Sequence, residues 1–418
     1  MKNDLFKTKS TEYNGAFFIL GMHEVHEYFI VGVLRNNHVT SMGHFSEGLK
    51  NEEKETLKRT IINNHTHKKE GIYYIEPSIC LLLSFQGLSA DQHLIQAKFQ
   101  SFLFKQSWES CTWEKLIFDQ ADFQSEVKIT HPDKPIWSEP ALNKEQFIAY
   151  LIEISPYMLP FLTNRLLTTI RYPHGFGDES FFQKNCPDYA PAFIDTSMHE
   201  GINYIVCNQL STLVWLGNQL AIEYHIPFQT IQETRPLEIV FDLDPPDRTH
   251  FSLAIKAAEE MKTIFDGLDI TSFPKLSGSK GIQIHIPILH TSLTFEDTRF
   301  FTEFIANYLV EKFPQDFTIE RLKKNRGSKL YIDFIQHAEG KTIISPYSPR
   351  GREFATVAAP LRWTEVNSDL KIEHYNIPYI IERLSKENCP MEDFFITENL
   401  SIERIIESIK SSIKKEAR

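Results

Sequence analysis

The first part of the chain alternates short apolar runs with turn residues. Between residues 15 and 115, runs rich in β-branched and aromatic residues are separated by Asn-Asn, Gly and Pro, a pattern that predicts strands. Only one stretch in this part, EEKETLKRTIINN, has helical spacing. Several short strands with one helix favour a small barrel, and the OB-fold is the leading candidate. We therefore predict an OB-like β-barrel domain over residues 1–122.

A polar stretch at residues 120–127 separates this part from a region with a different pattern. Asn143 is placed to cap the helix NKEQFIAYLIEISPYMLPFL, and QLSTLVWLGNQLAIEYH predicts another helix. The strands LEIVFDLD, GIQIHIPIL and KLYIDFI follow, with amphipathic helical segments between them. This alternation predicts a layered domain over residues 127–418 and an α+β fold for the whole chain. The last segment, IERIIESIKSSIKKEAR, predicts a charged surface helix.

Composition narrows the class of protein. Hydrophobic residues make up 42% of the 418 positions and charged residues 24%, which is typical of a soluble globular protein. No apolar run approaches the ~20 residues that span a bilayer, and the N-terminus, MKNDLFKTKSTEYNG, lacks the apolar core of a signal peptide. The five cysteines form no CxxC pair, which argues against a structural zinc site. We expect a cytoplasmic protein that contacts no membrane.

The net charge of −11 is unusual for a nucleic-acid-binding protein, because such proteins commonly present a basic surface. Screening limits the reach of a charge to about 10 Å, so a local basic patch would suffice. The run KKNRGSK, from Lys323 to Lys329, is such a patch, although a solvated turn has the same composition. Charge alone therefore leaves both a binding and a non-binding protein open.

Carboxylates recur on the polar faces of the predicted strands. Because side chains alternate along a strand, Asp242 and Asp244 of LEIVFDLD share one face while apolar residues share the other. Asp333 lies on the polar face of KLYIDFI. Neighbouring carboxylates repel each other unless a cation lies between them, and oxygen ligands suit Mg²⁺ or Mn²⁺. The alternatives are aspartates that end a strand and, for Asp333, a salt bridge to Lys or Arg.

A glycine-rich turn precedes the strand GIQIHIPIL. Ser277, Ser279 and Lys280 lie in this turn, whose backbone N–H groups are suited to phosphate, although it lacks P-loop spacing and a flexible turn has the same composition. Three cations suited to triphosphate oxygens come after Asp333, namely Lys341, Arg350 and Arg352. Carboxylates that hold two metals, beside a phosphate loop, fit in-line phosphoryl transfer.

Four longer segments carry a family resemblance. VFDLDPP, KLSGSKGIQIHIPI and LYIDFIQHAEGKTIISPYSPRGREFATVAAPLRW resemble the three motifs of the archaeo-eukaryotic primase superfamily. More closely, they resemble the polymerase domain of bacterial ligase D, the non-homologous end-joining enzyme, as does RYPHGFGDESFFQKN. The resemblance covers residues 129–366 and implies an RRM-like catalytic core. It also implies a two-metal site for Mn²⁺ or Mg²⁺ and a nucleoside triphosphate substrate, either NTP or dNTP.

The resemblance also implies roles for individual residues. The residues that match the catalytic metal ligands are Asp242, Asp244 and Asp333. The positions that match nucleotide contacts are His225, Ser277, Ser279, Lys280, Lys341 and Arg350. The positions that match DNA contacts are Lys134 and Lys144 for a 5′-phosphate, Phe181 and Phe182 for template stacking, and Arg326 for DNA or nucleotide. The chain departs from the family at Gln283, where many members have His, and at His131 and His337, where Asn is common.

The N-terminal part carries a second resemblance. AFFILGM, GHFSEGL and EPSICLLLSFQGLSADQHL resemble the OB domain that ends the ligase part of Bacillus-type ligase D. The adenylation motif KxDG does not occur in the sequence, so an OB domain without its adenylation domain is expected. Such a chain is a natural truncation that cannot seal a nick. Whether the OB domain binds nucleic acid or is a structural remnant stays open.

The resemblance implies a template-directed nucleotidyltransferase, not a ligase, that fills gaps and extends 3′ ends at double-strand breaks and prefers ribonucleotides. The expected partners are DNA ends and gapped DNA with a 5′-phosphate, Ku, and a separate ATP-dependent DNA ligase, in the nucleoid region of the cytoplasm. Two alternatives remain. The first is a de novo primase, and Lys134 and Lys144 argue against it because a primase does not bind a downstream 5′-phosphate. The second is a non-catalytic DNA-end or Ku-binding scaffold, and the intact carboxylates argue against it.

Overall fold

The computed structural model describes residues 12–35, 38–89, 91–121, 123 and 126–416. Several positions used in the sequence predictions lie outside the described residues, namely 1–11 of the N-terminal segment, 36 and 37 between predicted strands, 90, the boundary positions 122, 124 and 125, and 417 and 418 of the predicted C-terminal helix. The chain divides into two compact units, one of residues up to 129 with 148–156, the other of residues 130–147 and from 157 onward. The domain limits 1–122 and 127–418 stay predictions.

The first unit contains a curled sheet with two helices. Its elements are β1 (Tyr13–His23), β2 (Phe29–Arg35), β3 (His38–Phe45), α1 (Asn51–Asn64), β4 (His67–Lys69), β5 (Ile72–Tyr74), β6 (Cys80–Phe85), β7 (Lys98–Phe102) and α2 (Trp113–Gln120). The strand order is β3-β2-β1-β5-β4, and β6 pairs with both β1 and β7. The helix predicted at EEKETLKRTIINN is confirmed as α1.

Strand β1 curls this sheet because three strands share it. Its first half pairs with β6, and its second half pairs with β2 and β5. A register shift between Ile19 and Gly21 bends the strand. At Gly21 a Cβ atom would lie 2.5 Å from the carbonyl oxygen of Tyr73, so the close approach of β5 requires glycine. Phe17 and Phe18 are fully buried in the resulting core.

The second unit holds the remaining elements. They are β8 (Pro135–Ser138), β9 (Ala141–Asn143), α3 (Lys144–Leu162), β10 (Thr168–Arg171), β11 (Phe181–Gln183), β12 (Thr196–His199), β13 (Ile202–Ile205), α4 (Leu210–Asn218), β14 (Ala221–Pro227), β15 (Glu238–Asp244), α5 (Phe251–Gly267), β16 (Phe273–Leu276), β17 (Ile282–Pro287), α6 (Phe295–Lys312), β18 (Phe317–Thr318), β19 (Leu330–Asp333), β20 (Thr342–Ile344), α7 (Ile377–Lys386) and α8 (Ser401–Glu416). The central residues of α3, 148–156, group with the first unit. As predicted, Asn143 caps α3, because its side chain accepts a hydrogen bond from the Gln146 N–H.

Two sheets of the second unit carry the predicted site residues. The five-stranded sheet has the order β16-β17-β15-β19-β18, and the four-stranded sheet has the order β11-β10-β14-β20. Helices α5 and α6 cover the apolar face of β15, where the ring of Phe241 lies 5.6 Å from that of Phe265 and 6.3 Å from that of Phe301. The polar face of β15, with its aspartates, is on the opposite side.

The prediction of one helix over QLSTLVWLGNQLAIEYH was wrong. Helix α4 ends at Asn218, Leu220 adopts a left-handed conformation with φ of 57°, and the chain continues as strand β14. The apolar residues after Leu220 are buried on both faces of this central strand, which gives them a pattern that a buried helix shares. His225 therefore lies on a strand and not on a helix.

Two further observations concern the whole described chain. None of the helices within the described residues is long and apolar enough to cross a membrane. All five cysteines are buried, and none forms a disulfide.

Candidate active site

The three predicted aspartates lie on two neighbouring strands. Strands β15 and β19 are antiparallel, and their register places Asp242 directly opposite Asp333 and Asp244 opposite Tyr331. Directly opposite residues in an antiparallel pair have Cβ atoms about 4.5–5.5 Å apart and project to the same face. Asp244 shares this face because it is two residues from Asp242 along the strand. The fold thus brings Asp333 together with two carboxylates that lie far from it in the sequence.

At Asp242 and Asp333, the surroundings disfavour the charged form of the carboxylate. Burial raises the pKa of Asp242 to about 6, and the charges of Asp244 and Asp333 act in the same direction against a hydrogen bond from Gln283. Burial likewise raises the pKa of Asp333, although the Tyr331 hydroxyl and the Gln336 N–H donate hydrogen bonds to its Oδ1. Both carboxylates would therefore gain free energy from a nearby cation.

Asp244 differs from the other two because the protein supplies its counter-charges. Its Oδ1 lies 2.9 Å from Nζ of Lys280, and its Oδ2 lies 3.5 Å from Nη1 of Arg326. Arg326 also stacks 3.7 Å above the Tyr331 ring. The described residues contain no group of three His, Cys, Asp or Glu side chains arranged to hold a metal ion. Asp242 and Asp333 nevertheless fit a hard divalent cation, since they offer facing carboxylate oxygens with raised pKa values.

The Ser277–Gly281 loop is built against the end of β15. The Ser277 hydroxyl oxygen accepts hydrogen bonds from the N–H groups of Ser279 (3.2 Å), Lys280 (3.3 Å) and Gly281 (3.0 Å). At Gly281 a Cβ atom would lie 2.1 Å from the carbonyl oxygen of Leu243, so only glycine lets the loop approach the strand this closely. The turn is therefore an ordered structure beside Asp244 and not a loose connection.

His225 and Arg350 meet at a buried glutamate that the sequence analysis missed. Nε2 of His225 lies 3.1 Å from Oε2 of Glu223, and Nη1 of Arg350 lies 3.4 Å from the same oxygen. The Tyr172 hydroxyl and the Gly351 N–H donate hydrogen bonds to the other oxygen, Oε1. Glu223 is two residues before His225 on β14, so strand alternation was the one sequence signal that could have paired them.

A buried lysine was also missed. Lys275 on β16 is fully buried, and its Nζ donates a hydrogen bond of 2.5 Å to Oε1 of Gln283. Nε2 of Gln283 in turn donates a hydrogen bond of 3.1 Å to Oδ1 of Asp242. Burial lowers the pKa of Lys275 to about 7. Gln283, noted in the sequence only as a departure from the family, thus links this lysine to the carboxylate cluster.

The predicted phosphate lysines form a second group. The N–H of Lys144 donates a hydrogen bond to the carbonyl oxygen of Lys134, which holds the two residues together. Nζ of Lys134 donates to the Pro173 carbonyl, and Nζ of Lys144 donates to the carbonyl oxygen of Thr130 at 2.6 Å. Burial first, and then the charge of Lys134, lowers the pKa of Lys144 to about 8. Two neighbouring lysines of this kind are suited to bind an anion such as a phosphate.

The remaining predicted residues lie at the surface of the second unit. Phe181 and Phe182 on β11 are 45% and 71% exposed, and the Arg171 guanidinium lies 5.3 Å from the Phe181 ring centre. Such exposure is uncommon for phenylalanine and leaves both rings accessible for stacking. Lys341 is exposed directly before β20, the strand that pairs with β14.

Comparison with known proteins identifies relatives of this chain. A family model described as "LigD, primase-polymerase domain" matches residues 143–391. The "Bifunctional non-homologous end joining protein LigD" of Bacillus subtilis is 47% identical over 378 residues, which cover 90% of this chain and 62% of the relative. The "Multifunctional non-homologous end joining protein LigD" of Mycolicibacterium smegmatis is 29% identical over 267 residues, covering 62% of this chain and 35% of the relative. The chain thus spans less than two thirds of the length of these relatives.

A solved structure shows the same fold over much of the chain. It is described as "Polymerase Domain from Mycobacterium tuberculosis Ligase D in complex with DNA", and it superposes with a TM-score of 0.61 at 25% sequence identity. The match covers 65% of this chain and 99% of that chain. The mixture of helices and strands that the sequence predicts after the polar stretch at residues 120–127 is therefore confirmed.

Proposed function

The chain belongs to the LigD primase-polymerase family, and we propose that it is a template-directed nucleotidyltransferase that fills gaps and extends 3′ ends at double-strand breaks. The single observation that carries this proposal is the register of β15 and β19, which sets Asp242 opposite Asp333 with Asp244 on the same face. Facing carboxylates with raised pKa values are costly to keep in a folded protein unless a cation neutralises them.

Asp242, Asp244 and Asp333 would hold two divalent cations, Mn²⁺ or Mg²⁺, which activate a 3′-hydroxyl and neutralise a triphosphate in phosphoryl transfer. The protein's own part is to present these carboxylates on rigid strands and to place a neutral amide, instead of a counter-charge, beside Asp242. Among the residues that the structure describes, Asp242 has only the neutral Gln283 amide as a hydrogen-bond donor to its Oδ1, which would leave its charge for the cation. Lys280 and Arg326, which hold Asp244 in this structure, would transfer to nucleotide phosphate when substrate binds.

The incoming nucleotide would lie between the two sheets of the second unit. Its contacts would come from six residues, namely His225, Ser277, Ser279, Lys280, Lys341 and Arg350. The order of the Ser277–Gly281 loop supports this placement, because Lys280 extends from it to Asp244 and Arg350 packs on Gly278. We propose ribonucleoside triphosphates as the preferred substrates and deoxyribonucleoside triphosphates as the weaker ones.

The DNA would be held by two separate groups of residues. Lys134 and Lys144 would bind the 5′-phosphate on the far side of a gap, and the adjacent ammonium groups support this role. Phe181 and Phe182 would stack on the template, where a base on an aromatic ring contributes about 1–3 kcal/mol. The similarity to a polymerase domain solved with DNA supports a DNA substrate for this chain as well.

We propose that the first unit is an OB-like domain. Strand β1 is shared between β2 and β6, and a parallel bridge joins Glu47, after β3, to Lys98 on β7, which is the pairing that would bring the ends of such a barrel together. A separate ATP-dependent DNA ligase is the partner that we propose seals the product. Ku at the DNA end and a nucleoid location in the cytoplasm complete the proposal.

Primer extension with Mn²⁺ and labelled ribonucleotides tests this function. The protein is given a gapped duplex with a 5′-phosphate, the same gap without the phosphate, and an unprimed single strand. Template-directed addition that is strongest on the phosphorylated gap is expected. Dinucleotide synthesis on the unprimed strand would show a primase instead, and DNA binding without any addition would show a scaffold.

A further inference from the structure

Glu223 divides its carboxylate between two pairs of donors. Oε1 accepts hydrogen bonds from the Tyr172 hydroxyl at 3.2 Å and from the Gly351 N–H at 3.0 Å. Oε2 faces the other pair, with His225 Nε2 at 3.1 Å and Arg350 Nη1 at 3.4 Å. One oxygen is thus anchored to the surrounding fold, while the other holds two residues proposed to contact nucleotide.

The glutamate is ionised despite its burial. Glu223 is only 2% exposed, and burial alone would raise its pKa. The hydrogen bond from His225 and the charge of Arg350 outweigh burial and lower the pKa to about 2. Removing one partner of a buried ion pair strongly destabilises a protein, because the other charge is left buried without a counter-charge. Glu223, His225 and Arg350 are therefore held together as a unit.

An ionised carboxylate can only accept hydrogen bonds, and this determines where His225 carries its proton. The proton lies on Nε2, facing Glu223. Burial lowers the pKa of His225, which favours the neutral ring and makes Nδ1 an acceptor. The glutamate therefore sets the tautomer as well as the orientation of the imidazole.

Arg350 is placed between Glu223 and the phosphate loop. A Cβ atom on Gly278 would lie 2.7 Å from Cγ of Arg350, so the arginine stem packs on the loop backbone. Its Nε is buried and has no hydrogen-bond partner among the described residues. A buried N–H donor without a partner is destabilising, and an anionic ligand at this loop would supply the missing acceptor.

We propose that Glu223 is a positioning residue for the incoming nucleoside triphosphate, because its Oε2 holds both His225 and the Arg350 side chain, whose stem packs on the Ser277–Gly281 loop. The role rests on the proposed nucleotidyl transfer and extends it to a residue that touches neither substrate nor metal. Glu223 acts through the two side chains it holds. Losing its Oε2 acceptor would weaken nucleotide binding more than it slows the chemical step.

Glu223→Gln tests this role, since the amide keeps one acceptor oxygen for Tyr172 and Gly351. Its NH₂ group takes the place of Oε2. This donor cannot accept a hydrogen bond from the guanidinium of Arg350, and it favours the His225 tautomer that has no proton on Nε2. The expected result is a rise in the nucleotide KM of about 10- to 100-fold, with a smaller change in kcat. A folded Glu223→Gln protein with the wild-type nucleotide KM would overturn the proposal.

Tyr172→Phe is the matched control, because it removes a donor from the other oxygen of the same carboxylate. It should lower thermal stability slightly and leave the nucleotide KM unchanged. An equal rise in KM would show that any loosening of Glu223 has this effect, and the division of roles between the two oxygens would be wrong. If Glu223→Gln does not fold, Glu223→Asp retains the charge but withdraws both oxygens, and its KM should rise in the same way.

The wild-type protein separates failure of this inference from failure of the proposed function. If the wild type adds no nucleotide, nucleotidyl transfer itself is wrong. If it extends primers and a folded Glu223 variant does so with an unchanged KM, only the positioning role is wrong. Nucleotide affinity measured by calorimetry with ATP and Mn²⁺ should weaken in parallel with the rise in KM.

Discussion

Strand β15 carries three acidic side chains on one face, and two of them, Glu238 and Asp242, have opposite electrostatic surroundings. Glu238 is 1% exposed, and it binds Arg165 at 3.0 Å and His285 at 2.7 Å. Although burial opposes it, the hydrogen bond from His285 and the charge of Arg165 lower the pKa of Glu238 to about 2. At Asp242, burial and two neighbouring carboxylates raise the pKa to about 6. Counter-charge, and not burial, distinguishes Glu238 from Asp242, the carboxylate that we propose binds a cation.

The neighbouring strands create this difference. On β17, His285 lies opposite Val240 and next to Glu238, whereas Gln283, a neutral amide, lies directly opposite Asp242. On the other side of β15, β19 places Asp333 directly opposite Asp242, at a position where a Lys or Arg side chain would have stabilised the Asp242 carboxylate. Neither residue directly opposite Asp242 carries a positive charge, and this arrangement supports the proposed cation site.

The largest expected effect comes from Asp242→Asn. Loss of the carboxylate should reduce nucleotide addition about 1,000-fold or more, as for removal of other central catalytic groups. Thermal stability in metal-free buffer should be unchanged or higher, because a neutral side chain relieves repulsion with Asp244 and Asp333. Primer extension and thermal unfolding measure the two quantities. A variant that is destabilised and still active would reverse the assignment.

Glu238→Gln should have the opposite profile. The amide leaves Arg165 without its buried counter-charge, and breaking such a pair costs about 3–5 kcal/mol of unfolding free energy. Residual activity at a temperature where the variant is folded should be close to that of the wild type. Denaturant unfolding compared with Asp242→Asn provides the measurement, and equal stability of the two variants would remove the distinction between them.

The pH dependence of stability sharpens the same contrast. The pKa of Glu238, about 2, lies below its ordinary value of 4.5, so its stabilisation is present above pH 4.5 and is lost as the pH falls toward 2. The stability difference between the wild type and Glu238→Gln should therefore shrink by about 3 kcal/mol at most over this range. Urea unfolding at several pH values tests this, and a difference that grows on acidification would contradict it.

The presence or absence of a counter-charge also distinguishes two buried cations, Arg165 and Lys144, although the expected effect on activity is smaller. Arg165 has Glu238 as its counter-charge, whereas Lys144 is buried with a pKa lowered to about 8 and only oxygen atoms of Thr130 as hydrogen-bond acceptors among the described residues. Lys144→Met should lower activity about tenfold on gaps that bear a 5′-phosphate, through loss of a charged hydrogen bond. Activity on unphosphorylated gaps should not change, and an equal loss on both substrates would reject the role.

Strand periodicity was sufficient to predict the acidic face of the site. Alternation in LEIVFDLD and KLYIDFI placed Asp242, Asp244 and Asp333 on polar faces, and the structure has both segments as strands with the predicted faces. Their register could not be read from local pattern, because pairing between residues so far apart depends on the whole sheet. The resemblance to a family supplied the expectation that they meet.

The charged and polar partners of the site residues could not be predicted from the sequence. The buried position of Lys275 depends on β16 pairing with β17, and the role of Glu223 depends on Tyr172 and Gly351 reaching it from distant segments. His225 was placed on a helix because a strand buried on both faces lacks alternation. The ion pairs of Asp244 with Lys280 and Arg326 were likewise unforeseen, since loop and strand meet only in the folded chain.

Binding of Mn²⁺ in the presence of nucleotide tests the central claim most directly, because it does not depend on turnover. Free Mn²⁺ is followed by electron paramagnetic resonance during titration of the wild type, Asp333→Asn and Glu238→Gln. The wild type and folded Glu238→Gln should bind Mn²⁺ alike, and Asp333→Asn should bind it at least about tenfold more weakly. Equal Mn²⁺ binding by Asp333→Asn and the wild type would contradict a metal site at the facing carboxylates of β15 and β19.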